Sequence, residues 1–143
     1  MDKHLHWLLL PAIIAPTTII SPVYATQYLT MEAAQKLMFP QATKFESQPQ
    51  RLSETQREEV EAASNVKLRT PEQPVWRVMD GDRPLGWFVM DEVYGKHEFI
   101  TYAVALDTSG AVVSIEVLDY RETHCGEIRN PKWRAPFTGK RSG

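Results

Sequence analysis

The sequence predicts an α+β fold, with two N-terminal helices followed by an antiparallel β-meander and then a loop or helix segment. Helix start signals occur at Thr30 and Ser53, each ahead of a stretch with helical apolar spacing. From Pro74 onwards the pattern changes to short runs rich in Val, Ile, Tyr, Phe and Trp, separated by tight-turn sequences. Helices that precede sequential strands are typical of the α+β class.

The first predicted helix lies in TMEAAQKLMFP. Thr30 can cap its N-terminus and Pro40 ends it. Helical spacing places Ala34, Leu37 and Met38 on one face, so we expect these three side chains to face the core.

The second predicted helix begins with S-E-T-Q, in which Ser53 and Gln56 fit a capping box. Its narrow apolar stripe consists of Val60, Ala63 and Val66 or Lys67. Because the rest of this helix is highly charged, we expect it to lie on the surface with one edge on the core. We interpret its run of glutamates as a solvated face.

The four predicted strands are VWRVM (75–79), LGWFVMDEV (85–93), EFITYAVAL (98–106) and AVVSIEVLDY (111–120). The connectors DGDRP, YGKH and DTSG are typical of tight turns. In particular, Asp107-Thr108-Ser109-Gly110 predicts a hairpin between the last two strands. Four sequential strands with short connections predict a meander.

Residues 1–25 read as a secretory signal peptide, with a weak basic start, an apolar stretch from Trp7 to Ile20 and a V-Y-A cleavage site. The alternative is an uncleaved membrane anchor, since about 20 apolar residues can span a bilayer. Both alternatives predict an exported protein that is periplasmic or membrane-associated. The remainder, residues 26–143, has the length of one domain.

Composition narrows the possible partners. Hydrophobic residues make up 43% of the chain, which suffices for a packed core, and the net charge is −2. A near-neutral balance gives no reason to expect a nucleic-acid partner. Cys125 is the one cysteine, so no intramolecular disulfide is possible. The sequence contains no glycine-rich phosphate-binding loop.

The segment after the last strand, RETHCGEIRNPKWRAPF, concentrates groups that suit a small-molecule site. Its polar side chains include Glu122 and Thr123, and Trp133 and Phe137 offer flat apolar surfaces for a ring. Aromatic walls with a few polar groups are typical of ligand pockets.

Other interpretations of this segment remain open. His124 and Cys125 suggest a metal site or a thiol nucleophile, but no second His or Cys lies at ligand spacing. Trp133 and Phe137 are four residues apart, so they also fit a helix stripe that caps the sheet.

Residues 93–140 resemble the FMN-binding domain family, which includes the periplasmic flavin subunits of Rnf-type and sodium-translocating quinone reductase complexes. Two motifs carry the resemblance. The first is E-T-x-x-G, here Glu122, Thr123 and Gly126. The second is W-x-x-x-F-x-G-K, which comprises Trp133, Phe137, Gly139 and Lys140.

The resemblance implies FMN as the cofactor and electron transfer, rather than enzymatic turnover of a substrate, as the function. It assigns Glu122, Thr123 and Gly126 to a loop near the flavin. Trp133 and Phe137 would pack beside the flavin and Lys140 would attract its phosphate. The implied partners are a flavin transferase and the subunits of a membrane redox complex.

Family members carry FMN on a threonine of an S/T-G-A-T motif, some tens of residues beyond W-x-x-x-F-x-G-K. This chain has three residues after Lys140, so we expect it to be the N-terminal part of the domain. The alternative is that it is a naturally short relative of the family. Residues 109–112 read S-G-A-V, but Val112 has no hydroxyl and the segment is the predicted hairpin turn.

Two further functional hypotheses remain. One is a flavin-free exported interaction or sensory module, in which the aromatic residues belong to the core. The other is an assembly factor for a membrane redox complex, which no particular residue of the sequence supports.

Overall fold

The computed structural model describes residues 26–27, 29–120, 128 and 130–141. In chain order they form β1 (Thr26–Gln27), α1 (Met31–Met38), β2 (Lys44–Ser47), β3 (Gln50–Arg51), α2 (Glu54–Ser64), β4 (Glu72–Gln73), β5 (Val75–Asp80), β6 (Arg83–Tyr94), β7 (Phe99–Leu106), β8 (Val112–Tyr120), α3 (Pro131–Arg134) and a 3₁₀ helix (Ala135–Phe137). The predicted signal or anchor segment lies outside the described residues. Within them, no helix combines the length and apolarity needed to cross a bilayer.

The predicted α+β class and antiparallel meander are confirmed. The main sheet has six strands in the order β1-β8-β7-β6-β5-β2, and β5 to β8 pair antiparallel with their neighbours in sequence. The second sheet contains only β3 and β4. Each of the four predicted strands matches an observed one to within two residues at either end.

The hairpin between β7 and β8 is organised by the side chain of Asp107. Its Oδ1 accepts hydrogen bonds from the amides of Ser109, at 2.8 Å, and Ala111, at 3.0 Å, and from the Ser109 hydroxyl, at 2.6 Å. The hydrogen bond from Ser109, followed by that from Ala111, lowers the pKa of Asp107. The sequence S-G-A-V therefore lies in a turn, as predicted.

The core lies between α1 and one face of the main sheet. Phe88 of β6 is fully buried, and its ring meets those of Trp76, at 5.6 Å, and Phe45, at 6.3 Å. Ala103 and Ala105 on β7 are also fully buried and belong to the same cluster. Helix α1 contributes Ala34 and Met38 to this cluster, and Phe39, which caps its C-terminus, also belongs to it.

Helix α1 begins as predicted and buries Ala34 and Met38, but Leu37 departs from the expected face. The Thr30 hydroxyl accepts a hydrogen bond from the amide of Ala33 at 3.1 Å, which is the expected cap. Leu37 was expected in the core, and this expectation is wrong because the residue is 58% exposed. Gln35 is buried instead, since the helix meets the sheet through the small Ala34 side chain.

Helix α2 has the predicted capping box between Ser53 and Gln56, with both hydrogen bonds formed. The expectation that its apolar stripe packs on the core is wrong. Val60 and Val66 are exposed, and α2 contains no buried residue. Its sheltered side chain is Glu61, one of the glutamates expected to face solvent.

Glu61 instead joins α2 to the chain that follows it. Asn65 adopts a left-handed conformation with φ 56°, which ends the helix and turns the chain back. The Glu61 carboxylate then accepts hydrogen bonds from Lys67 Nζ at 2.7 Å, the Leu68 amide at 2.9 Å and Arg57 Nε at 3.3 Å. These bonds, the one from Lys67 foremost, lower the pKa of Glu61 to about 2.

The shortest strands were not predicted from the sequence. Strand β2 pairs with β5 over four residues, but its sequence KFES carries only one apolar residue. Strands β1, β3 and β4 have two residues each, too few for a period-2 pattern to be visible.

Gly86 is required by the close approach of β6 and β7. Its φ is 145°, and a Cβ at this position would lie 1.9 Å from the Leu106 carbonyl oxygen. We expect Gly86→Ala to lower the free energy of unfolding by about 3 kcal/mol or more, because two backbones would have to separate. Gly81→Ala is the control, since Gly81 also has a positive φ, 57°, but open space around it. Urea denaturation of both variants checks this, and equal losses would contradict the steric argument.

The pKa of Glu61 makes stability depend on pH. Because the folded pKa of about 2 lies below the ordinary value of 4.5, the carboxylate stabilises the fold fully above pH 4.5. This contribution is lost as the pH falls towards 2. We expect urea denaturation to show a shallower loss of stability over this pH range for Glu61→Gln than for the wild type. Glu59→Gln, at an exposed position of the same helix, should keep the wild-type slope.

Candidate functional site

The described part of the predicted site segment contains a short helix, α3, whose N-terminus is specified by local sequence. Asn130 caps α3, and its Oδ1 accepts a hydrogen bond from the Lys132 amide at 3.0 Å. Pro131 follows at the first helical position, where a missing N–H costs nothing. The chain then tightens into the 3₁₀ helix and returns to the sheet. We call residues 130–141 the edge segment, because they lie along the outer edge of β8.

Trp133 and Phe137 contact each other at the surface. Their ring centroids are 5.6 Å apart and the planes are inclined by 50°. Trp133 is 48% exposed and Phe137 41%. They therefore form a pair at helical spacing, but the alternative in which they cap the sheet as core residues does not hold. The pair leaves aromatic surface open to a ligand or a partner.

Lys140 is positioned by the backbone rather than by its side chain. Its carbonyl accepts a hydrogen bond from the Val112 amide at 2.9 Å, and the Gly139 amide donates to the Val112 carbonyl at 2.7 Å. Gly139 has φ 80°, a conformation that glycine adopts without strain. The exposed Lys140 therefore sits beside the first residue of β8, on the segment that carries Trp133 and Phe137.

Arg134 is a structural residue for which the sequence around it gives no signal. Its guanidinium pairs with the Glu116 carboxylate, and its Nη1 donates to the Ile115 carbonyl at 2.8 Å. The side chains of Arg134 and Glu116 are only 14% and 22% exposed. The signal for this pair was Glu116 itself, a carboxylate in the middle of an otherwise mostly apolar strand.

The edge segment is strongly basic in an otherwise slightly acidic chain. Residues 130–141 include Lys132, Arg134, Lys140 and Arg141 but no Asp or Glu. Arg134 is paired with Glu116, while the other three are exposed. The exposed aromatic pair is therefore part of a positively charged segment, which favours an anionic ligand.

Three of the six predicted site residues, Trp133, Phe137 and Lys140, lie together on the edge segment. The other three, Glu122, Thr123 and Gly126, lie outside the described residues, as do His124 and Cys125. Their proposed roles therefore stay predictions.

Cavities beside the edge segment are small. A cavity of about 140 Å³ lies between it and β8, lined in part by Ser114, Arg134 and Thr138. Ligand pockets commonly measure about 300–1,000 Å³. The described residues of this segment thus provide an open surface and not an enclosed pocket.

A second polar feature lies on the sheet face opposite the core. The Tyr102 hydroxyl donates to Asp91 Oδ2 at 3.0 Å, across the paired strands β6 and β7. Burial, and secondarily the charge of Asp91, raises the pKa of Tyr102. The Asp91 Oδ1 accepts from the Glu92 amide at 2.8 Å, so both carboxylate oxygens are engaged within the chain. This pair joins β6 to β7 within the sheet.

Metal binding finds no support in the part of the chain that the structure describes. Within these ranges, no three His, Cys, Asp or Glu side chains come together as a set of metal ligands.

The pair of Arg134 and Glu116 should be energetically coupled, because both groups are largely withdrawn from water. We expect a double-mutant cycle with Arg134→Ala and Glu116→Ala to give a coupling of about 1–2 kcal/mol in urea denaturation. The control cycle uses Lys44 and Glu46, whose ion pair lies at the surface. It should give a smaller coupling free energy, which decreases when salt is added. Equal couplings in the two cycles would show that Arg134 is merely a surface charge.

Comparison of the chain with protein-family models, curated proteins and solved structures gave no match in any of the three. The resemblance to the FMN-binding domain family therefore stays a prediction from the two motifs.

Proposed function

We propose that this chain is an FMN-binding, electron-transfer domain of an exported or membrane-linked redox system. The observation that carries the proposal is the grouping of Trp133, Phe137 and Lys140 on one segment after the last strand of the meander. In this grouping, an aromatic pair can stack against a flat ring while a cation attracts a phosphate.

The described residues fit part of an FMN molecule. The exposed faces of Trp133 and Phe137 suit the isoalloxazine ring, and Lys140, with Lys132 and Arg141 on the same segment, suits the phosphate. The cavity of about 140 Å³ beside them is too small to enclose the ring. The remaining contacts are assigned by the proposal to Glu122, Thr123 and Gly126.

FMN and the protein would have different roles at this site. FMN, when bound, supplies the electron-accepting ring, whereas the protein binds and positions it. Trp133 and Phe137 would exclude water from one face of the ring. Lys140, held in place through its backbone bond to Val112, would orient the phosphate end. A flavin transferase and membrane redox subunits are the partners that the proposal implies.

A second candidate function is a flavin-free interaction module of an exported protein, which differs from the module expected from the sequence because Trp133 and Phe137 lie at the surface and not in the core. The half-exposed Trp133 and Phe137 beside a small cavity favour it, because exposed aromatic residues next to cations are typical of protein-binding hot spots. An assembly factor for a membrane redox complex would be one form of such a module.

Titration of the purified full chain with FMN tests the proposal. We expect flavin fluorescence to change saturably, and the dissociation constant to rise about tenfold or more in the double variant Trp133→Ala/Phe137→Ala, because stacking is lost. The matched control is Tyr94→Ala, which removes an exposed aromatic ring at the tip of the β6–β7 hairpin. Glu122→Ala/Thr123→Ala should also weaken binding.

A comparison of FMN with riboflavin, which lacks the phosphate, separates the contribution of the ring to the affinity from that of the phosphate. Lys140→Gln should lower the affinity for FMN but leave that for riboflavin unchanged, whereas Lys36→Gln on α1 should change neither. Absence of saturable FMN binding by the wild-type chain would reject the proposal and favour the interaction module. If the aromatic variant and the Glu122/Thr123 variant both keep the wild-type dissociation constant for FMN, the flavin does not bind at this site.

A further inference from the structure

A cavity of about 220 Å³ lies beside strands β5 and β6, on the sheet face opposite the core. Its lining residues are Arg77, Pro84, Gly86, Trp87 and Thr108. Arg77 and Trp87 are cross-strand partners. The residues that follow them, Val78 and Phe88, belong to the core cluster. Because side chains alternate along a strand, Arg77 and Trp87 point to the other face.

A bulge in β6 leaves room for this cavity. The register between β5 and β6 shifts at Val78 and Met79, so that Leu85 is an extra residue on β6. Leu85 packs against the core cluster, and its neighbours Pro84 and Gly86 line the cavity. Neither neighbour has a long side chain, so the bulge does not fill the space.

The polar side chains that line the cavity have hydrogen-bond donors to spare. The Arg77 guanidinium, the Trp87 indole N–H and the Thr108 hydroxyl make no hydrogen bond within the part of the chain that the structure describes. Arg77 and Trp87 are half-buried, and the lining contains no Asp or Glu. A partly withdrawn guanidinium without an internal acceptor favours an acceptor that comes from outside the chain.

The neighbouring carboxylates are engaged elsewhere. Glu46 is the cross-strand partner of Arg77 on β2, but it forms its ion pair with Lys44, at 2.7 Å. Lys44 accordingly lowers the pKa of Glu46 more than the charge of Arg77 does. Asp107, which precedes Thr108, accepts three hydrogen bonds within its own turn. Arg77 therefore has no ion-pair partner among the described residues.

The lining suits a carboxylate that is attached to a flat ring. A guanidinium presents parallel N–H groups that match the two oxygens of a carboxylate. Arg77 carries the one positive charge of the lining, which balances a monocarboxylate better than a phosphate with its charge of about −1.5 to −2. The rings of Trp87 and Pro84 supply apolar walls. The volume of about 220 Å³ suits a ligand with a single ring.

We propose that the cavity lined by Arg77, Trp87 and Thr108 is a binding site for a small aromatic monocarboxylate. The Arg77 guanidinium pairs with the carboxylate, the Thr108 hydroxyl donates a hydrogen bond to it, and the ring of the ligand lies against Trp87. The inference does not depend on flavin binding at the edge segment.

Titration of the full chain with benzoate, followed by nitrogen-15 NMR, tests this proposal. The indole N–H of Trp87 and the amide of Thr108 should shift saturably, with a dissociation constant of about 1 mM, as expected for so small a ligand. Benzamide has nearly the same shape but no charge, so it should bind at least about tenfold more weakly. Acetate, which lacks the ring, and inorganic phosphate should also bind more weakly than benzoate.

Substitutions assign the contacts. Arg77→Gln should raise the dissociation constant for benzoate about tenfold or more, because the charged pair is lost. Thr108→Val, at an exposed turn position, should raise it by a smaller factor, and it keeps the test valid if Arg77→Gln does not fold. The matched control is Arg83→Gln, which removes an exposed arginine that is paired with Asp80 at the β5–β6 turn. This variant should bind benzoate as the wild type does.

Four results would overturn the proposal. The first is the absence of a saturable shift with benzoate, and the second is equal affinity for benzamide or higher affinity for phosphate. The third is a wild-type dissociation constant in the folded Arg77→Gln or Thr108→Val variant. The fourth is a set of shifts confined to the edge segment, which would place the ligand at Trp133 and Phe137 instead.

Discussion

The packing of α1 against the core face of the main sheet, which the helix approaches most closely at β8, is the constraint on which the rest of the structure depends. Phe88 fills the centre of this interface, and the small side chains of Ala34, Ala103 and Ala105 let the helix come close to the sheet. Burial of a phenylalanine side chain contributes about 1.5–3 kcal/mol. The register of β5 to β8 places one set of alternate residues on this interface, and therefore also decides which backbone edge of β8 faces outward.

The outward edge of β8 links the candidate site to the stability of the sheet. The edge segment carries the exposed pair of Trp133 and Phe137, and it is attached to β8 through Val112 and Arg134. A site on such a segment has a defined position, but it is only as rigid as these few contacts.

Much of the fold could be predicted from the sequence because its signals are local. The caps at Thr30 and Ser53, the Asp107 turn and the four strands of the meander each depend on neighbouring residues, and all are observed. The candidate site stays a prediction, and only part of it lies within the described residues. The resemblance pointed to Trp133, Phe137 and Lys140 on one segment, but it did not indicate Arg134, whose partner Glu116 is 18 residues away.

The sequence by itself determined where the two longer helices and the four strands of the meander begin, since capping, turn chemistry and hydrophobic period act within a few residues. Only the tertiary structure decided which surfaces are sheltered. Leu37 is exposed while Gln35 is buried, and Glu61 is sheltered while Val60 is not. These outcomes depend on which helix face meets the sheet and on where the chain turns back. Both are set by contacts between residues distant in sequence, which no local pattern encodes.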